Sequence, residues 1–263
     1  MRFGAILPPT IAHEEVAGLA RTAERAGFDA IWVEEGDSTT GWPGVFVVAA
    51  AAAGTGITRV GITAVLGLEH PLYVAEEATT LDLGSGGRVE VAVRPATTAE
   101  AGSRGIDPAT VRHRFAEALD IFIEAVGPAP FSYAGKYWTV PAGIDSHIGA
   151  VGHDTVFPMP KPAQIRLPIW MDSTMPARSG IAQIALDLDV SAGVQAAVVK
   201  IDDALLERGG LERLRGDGVG LVVCRFDGNQ TSAFCRFGRR VAPKFRATRL
   251  PEVILEAIEA DER

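Results

Sequence analysis

Two cysteines, Cys224 and Cys235, are all that this chain of 263 residues contains. That is too few for a disulfide framework, and their surroundings have no metal-ligand spacing, so they read as core thiols of a cytoplasmic protein. Basic residues are in deficit. The 25 Lys and Arg stand against 33 Asp and Glu, a formal net charge of −8, which disfavours nucleic acid and anionic membrane as partners. A long apolar run is also missing. Val45 to Ala53, the longest, falls far short of the ~20 residues of a membrane span. Arg2 to Leu7 reads as a strand and not as a signal segment. The five histidines include no pair with convincing metal spacing, so no metal site is expected.

What remains is a chain that can build a large core. Hydrophobic residues make up 47%, and the 29 glycines and 16 prolines are dispersed. Strand and helix patterns alternate. Phe3–Leu7, Asp29–Val33 and Thr58–Val65 read as strands. His13–Ala26, with Val16, Leu19, Ala20 and Ala23 on one face and Gly27 as its stop, reads as a helix, and so does the alanine-rich Val45–Ala53. From His70 to Pro95 a whole unit is written out. Pro71 suits a first helical position, Leu72, Ala75, Ala78, Thr79 and Leu81 form an apolar stripe, Gly84-Ser85-Gly86-Gly87 ends it, and Val89, Val91 and Val93 start a buried strand.

Further along, Thr110–Val126 is a helix and Leu167–Asp172 a strand. Between them, residues 128–167 form a long excursion rich in Gly, Pro, His and aromatics, the kind of segment that covers a site. After Asp172 the pattern weakens. Pro176–Leu186 reads as a short helix and Asp187–Ser191 as a weak strand. Val194–Arg215 reads as mainly helix, with Ala197–Val199 an alternative strand. Val219–Cys224 is the last clear strand, and Thr231–Val241 and Pro251–Ala260 are terminal helices. Repeated βα units at this length predict a single α/β domain over 1–263, a TIM (β/α)8-type barrel. Only seven strands are clear. Either Ala197–Ile201 is a poor eighth strand, or one βα unit is lacking in the C-terminal half.

Five separated motifs go beyond fold class. They are Arg2-Phe3-Gly4-Ala5-Ile6-Leu7-Pro8; Ala23-Glu24-Arg25-Ala26-Gly27-Phe28-Asp29-Ala30-Ile31-Trp32-Val33; Pro71…Ala75-Glu76…Thr80-Leu81-Asp82 with Ser85-Gly86-Gly87-Arg88-Val89-Glu90-Val91; Arg114-Phe115-Ala116-Glu117-Ala118-Leu119; and Phe131-Ser132-Tyr133-Ala134-Gly135-Lys136-Tyr137-Trp138 with Pro158-Met159-Pro160-Lys161-Pro162-Ala163-Gln164. In this order they resemble the bacterial luciferase-like family of flavin- and deazaflavin-dependent oxidoreductases, densely to about Met171 and thinly afterwards.

The resemblance implies a monooxygenase or oxidoreductase that holds reduced FMN, or F420 in its place, and acts on a small organic substrate. It also implies a homodimer through the second and third helices, and a flavin reductase as source of reductant. Ligands of such barrels sit at the C-terminal strand ends. Cofactor residues are then expected at Thr63, Ala64 and Val65, where relatives often have a bulged or cis peptide; at Arg94; and at Ser173 and Thr174, which with Arg178 would meet a phosphate at a helix N-terminus. Glu34, Glu35 and Asp37 stand where many relatives carry histidine. Glu34 and Glu35 are acid–base candidates, each also readable as part of a solvated acidic loop. His70 is a third catalytic candidate, or a cap. His113, between Arg112 and Arg114, is placed to reach an anion or only water, and His147 and His153 in the excursion are placed to line a lid. Arg94 replaces an expected glycine and reads two ways, as a cation for the reduced flavin or as a side chain filling the ring pocket. The rival to an enzyme is a degenerate barrel that only binds flavin or another ligand. The expectation rests on an open cup, and a cup plugged by the chain's own groups would sink it.

Overall fold

The computed structural model describes residues 1–36, 41–42, 44–54, 56–141, 154–186 and 193–246. Eight parallel strands close into a barrel in the order β1 (Arg2–Ile6), β2 (Ala30–Glu34), β3 (Arg59–Leu66), β4 (Val89–Pro95), β7 (Ile169–Asp172), β8 (Ala182–Ala185), β9 (Ala196–Lys200), β10 (Leu221–Arg225) and back to β1. A small antiparallel pair, β5 (Tyr133–Ala134) and β6 (Thr139–Val140), lies in the excursion. The helices are α1 (Val16–Arg25), α2 (Val45–Ala53), α3 (Pro71–Gly84), α4 (Thr98–Ser103), α5 (Val111–Val126), α6 (Asp203–Glu207), α7 (Gly210–Gly216) and α8 (Gln230–Arg240).

The full count of strands decides between the two alternatives in favour of an eighth strand. Ala196–Lys200 is a strand, paired with both β8 and β10. The expected helix at 176–186 is absent. Residues 182–185 are a strand instead, in register with β7 through Trp170↔Ala182 and Asp172↔Ile184. What the C-terminal half economises on is therefore helix. The loop 173–181 joins two parallel neighbours that usually need about a dozen or more connecting residues. Buried Met175 packs in that loop. The expected strand at 187–191 and helix at 251–260 lie outside the described residues.

Side chains alternate along each strand between the helical layer and the barrel interior. The interior is packed by Ile6, Ala30, Trp32, Ala92, Ile184, Ala196, Val198, Leu221 and Val223. Trp32 is its largest member and wholly buried. The indole lies flat against β3, where a Cβ on Gly61 would come within 1.8 Å of its ring. Glycine at 61 is what lets a tryptophan fill a barrel of this size.

The most legible motifs belong to the N-terminal end of the barrel. Gly86 and Gly87, at φ of 71° and 79°, turn the chain from α3 into β4. Arg88 then donates to three carbonyls, of Ala53, Thr58 and Ser85, each at 2.6 Å, tying α2, β3 and α3 together. Asp82, fully buried, accepts from the Val89 N–H, the Gln164 N–H and the Gln164 side-chain amide at 2.8 to 3.1 Å. Inside the same end, Glu90 is held by Arg2 at 2.6 Å, Arg59 at 2.5 Å and the Trp170 indole N–H at 3.0 Å. Burial opposes its charge, and the arginines outweigh burial and hold its carboxyl below the usual range. This is the stability end of a barrel, opposite the ligand end.

Candidate functional site

At the other end the interior opens. Above Trp32, a cup of about 330 Å³ is bounded by Glu34 and Glu35 from the end of β2, Thr63 from β3, Arg94 from β4, Asp172 at the end of β7 and Thr174 just after it, Leu186, and Arg225 from β10. The volume is at the low end of the range for small-molecule sites. It suits a flat ring with any tail left outside.

The floor is set by one hydrogen bond. The Trp32 indole Nε1–H donates to the Thr63 hydroxyl at 2.8 Å. Thr63 is only 2% exposed. Ala64, its neighbour, faces the helical layer. Val65 packs with Ala96, Ala101 and Val111. Of the three β3 candidates, Thr63 alone lines the cup. The expected cis peptide at Ala64–Val65 is not formed. Among the described residues cis bonds occur only before Pro141 and Pro160, and the β3–β4 register runs without a bulge from Val60↔Val89 to Leu66↔Pro95.

Arg94 does not fill the cup. Its guanidinium bends to the rim, where Nη1 and Nη2 lie on the two Glu100 oxygens at 2.8 and 2.6 Å and also reach the Pro95 and Glu35 carbonyls at 3.1 and 3.0 Å. Thr97, the N-cap of α4, positions Glu100 through a reciprocal capping box. Burial opposes charge on Glu100, but the Arg94 hydrogen bonds, with those from Thr97, prevail and bring it to about 2. Across the mouth, Glu34 pairs with Arg225 at 2.5 Å. At the next strand end Lys200 pairs with Asp227 at 2.6 Å.

Glu35 is different in kind. Its carboxylate accepts the Val65 N–H at 2.6 Å and has no ion-pair partner among the described residues. Burial raises its pKa, only partly offset by that N–H and by the charge of Arg94. A carboxyl so placed holds a proton more readily than an exposed one.

The phosphate expectation changes most. No helix starts after Thr174, so no helix N-terminus is on offer there. The Ser173 N–H donates to the Ile184 carbonyl. The Thr174 N–H turns back onto Asp172 at 2.9 Å. Arg178 points away to Asp120 on α5. A cation does stand nearby. Arg112, at the start of α5, donates to the Thr174 carbonyl at 3.2 Å and has no carboxylate partner among the described residues.

His70 is the N-cap of α3. Its Nδ1 accepts the Leu72 N–H at 3.3 Å, and its ring packs edge-on to Tyr73. It does not line the cup. His113 is exposed on α5, and Asp37, His147 and His153 lie outside the described residues. Sequence reading missed Trp32, Glu100 and Arg112 as parts of the site. Only Glu100 had a readable signal, the Thr97-x-x-Glu100 capping-box spacing.

Comparison with known proteins agrees with this geometry. The model of a family described as luciferase-like monooxygenase matches residues 1–187. A curated relative, 4-hydroxyprotoasukamycin monooxygenase of Streptomyces nodosus subsp. asukaensis, is 36% identical over 134 residues, 45% of this chain and 36% of that protein. The chain thus spans little more than a third of the first curated relatives it matches, 36% in each case. Monooxygenase RslO1 from Streptomyces bottropensis superposes with a TM-score of 0.75 at 16% identity, covering 94% of this chain and 100% of that one. The coenzyme F420 dependent tetrahydromethanopterin reductase from Methanopyrus kandleri superposes with a TM-score of 0.67 at 18% identity, covering 93% and 99%. At these identities the likeness is one of fold.

Proposed function

The chain belongs to the luciferase-like monooxygenase family, and we propose that it is a flavin-dependent monooxygenase or oxidoreductase whose cofactor ring sits in the cup and whose substrate is a small organic molecule. The observation that carries this reading is the open space above Trp32, about 330 Å³, at the C-terminal end of a closed parallel barrel. Reduced flavin supplies the hydride or the oxygen activation itself. The chain's task is to seat the ring, meet the phosphate and exclude water. In this reading Thr63 and the underlying Trp32 form the floor, Arg94 is held at the rim by Glu100, and the side-chain hydroxyls of Ser173 and Thr174, with Arg112, meet the ribityl-phosphate arm. Glu35, raised by burial, holds or accepts a proton at the edge of the cup. Glu34 acts through its pair with Arg225.

FMN is favoured over F420 by charge. The tail of F420 is more negative and calls for a broad basic groove. Here Arg94, Arg225, Lys200 and Arg104 are each spent on a carboxylate, which leaves Arg112 as the cation beside Thr174.

The same reading includes a homodimer. A groove of about 790 Å³ runs between α2 and α3, and Val47 and Tyr73 on its walls are each 64% exposed. A second copy laid against it would cover both. Free thiols at Cys224 and Cys235 and the absence, among the described residues, of any helix long and apolar enough to cross a membrane support work in the cytoplasm, with a separate reductase delivering reduced FMN.

Titration of the purified chain with FMN, reduced FMN and F420, followed by absorbance and co-elution, tests the assignment. Micromolar binding of FMN in either redox state, tighter than that of F420, is the expected result. Binding of neither cofactor leaves the degenerate barrel as the correct reading. Light scattering tests the dimer: a monomeric mass removes it.

A further inference from the structure

The floor of the cup contains an unspent hydrogen. The Thr63 hydroxyl has one proton to give and lone pairs to receive. Trp32 Nε1–H, a donor that cannot accept, occupies a lone pair at 2.8 Å. Trp32 is wholly buried and pinned against Gly61, so it cannot turn away. No group among the described residues accepts the Thr63 proton in return. Thr63 is 2% exposed, so little water reaches it, and an unpaired buried donor is costly. Its free side faces the cup it lines.

We propose that Thr63 is the specificity-determining hydrogen-bond donor of the cup, with Trp32 as the positioning residue that takes one of its lone pairs and so orients its proton. The floor therefore selects a ligand that turns an acceptor atom, a carbonyl oxygen or an unprotonated ring nitrogen, toward β3. A ligand that presents C–H or N–H there leaves the donor unpaired. This rests on the reading of the cup as a ring site, and it adds which chemical face the ring must offer.

Thr63→Val keeps the shape of the side chain and removes the donor, but it orphans the indole N–H. The double variant Trp32→Phe with Thr63→Val removes both partners and so avoids that cost. Thr63→Ser keeps the hydroxyl. Folding of each is checked by thermal unfolding, and FMN binding is followed by fluorescence and by the visible band of the bound flavin. Thr63→Val and the double variant are expected to bind FMN about tenfold more weakly than wild type, the loss of one hydrogen bond, and to lose the band shift of the bound state. Thr63→Ser is expected to keep both. Wild-type affinity and an unchanged band in folded Thr63→Val or in the folded double variant would overturn the proposal while leaving the cup as the ring site. Wild type that binds no flavin overturns both.

Discussion

Arg94 lies fork-to-fork on Glu100, six residues further along the chain, with two parallel contacts of 2.6 and 2.8 Å. Bidentate pairs of this type fix direction as well as distance. The capping box of α4 orients the carboxylate, the carboxylate orients the guanidinium, and the guanidinium closes on the Glu35 carbonyl across the rim at 3.0 Å. A residue that sequence alone left between filling the pocket and framing it is thereby drawn to the edge.

The pair has a pH signature. Glu100 titrates near 2 in the folded chain, below its ordinary 4.5. A depressed carboxylate contributes stability that is present above the unfolded value and is lost as pH falls through the folded one. Wild type should therefore lose stability between pH ~5 and ~2 by more than Glu100→Gln does. Urea midpoints of the two proteins across that range check it. Parallel curves would mean the pair contributes nothing, as solvent screening allows for partly exposed ions.

Gly61→Ala should destabilise the barrel by about 2 kcal/mol, the cost of overpacking a filled core. The added Cβ would sit 1.8 Å from Trp32 Cε3, and the indole is backed by the other strands. The same variant should disturb the floor of the cup, so weaker FMN binding is expected alongside the lower urea midpoint. Unchanged stability would show that Trp32 has room to move.

Asp82→Ala, at the opposite end of the barrel, should separate stability from function. Three N–H groups lose their acceptor, which costs about 3 kcal/mol. Asp82 lies at the other end from the cup, so FMN affinity below the unfolding midpoint should match wild type. A large loss of affinity in the folded variant would mean that the two ends are coupled.

This contrast also explains what could be read beforehand. The Thr80-Leu81-Asp82 to Gly87-Arg88 stretch was legible because its helix stop and turn are local, with Gly86 and Gly87 at positive φ, whereas the Thr58 and Ala53 carbonyls held by Arg88 and the Gln164 held by Asp82 lie 30 to 82 residues away. The strand at 196–200 was obscured because Ala-Ala-Val-Val-Lys, buried on both faces, alternates no more clearly than a buried helix does. The strand at 182–185 is four residues, Ala-Gln-Ile-Ala, too short for its period to be told from a helix. The site was less legible still. Glu100 can be placed by its capping box with Thr97, but its pairing with Arg94, and the meeting of Trp32 with Thr63 and of Arg112 with Thr174, are announced by no local pattern.

Glu35 supplies the last test. Burial raises its pKa, and the Val65 N–H and Arg94 only partly compensate. For a carboxyl whose folded value is raised, stability is full below the unfolded value and falls as pH rises through the folded one. The ionised group is thus a liability at neutral pH, and one that the chain retains. Glu35→Gln keeps an oxygen to accept the Val65 N–H and removes the charge. It should melt higher than wild type at pH 8 and level with it at pH 4, as read by thermal unfolding at both. If the proposed acid–base role holds, the more stable variant should also turn over more slowly while binding FMN as wild type does. Strain kept at a working carboxyl predicts that opposition. A variant gaining stability with no loss of turnover would make Glu35 a rim residue and nothing more.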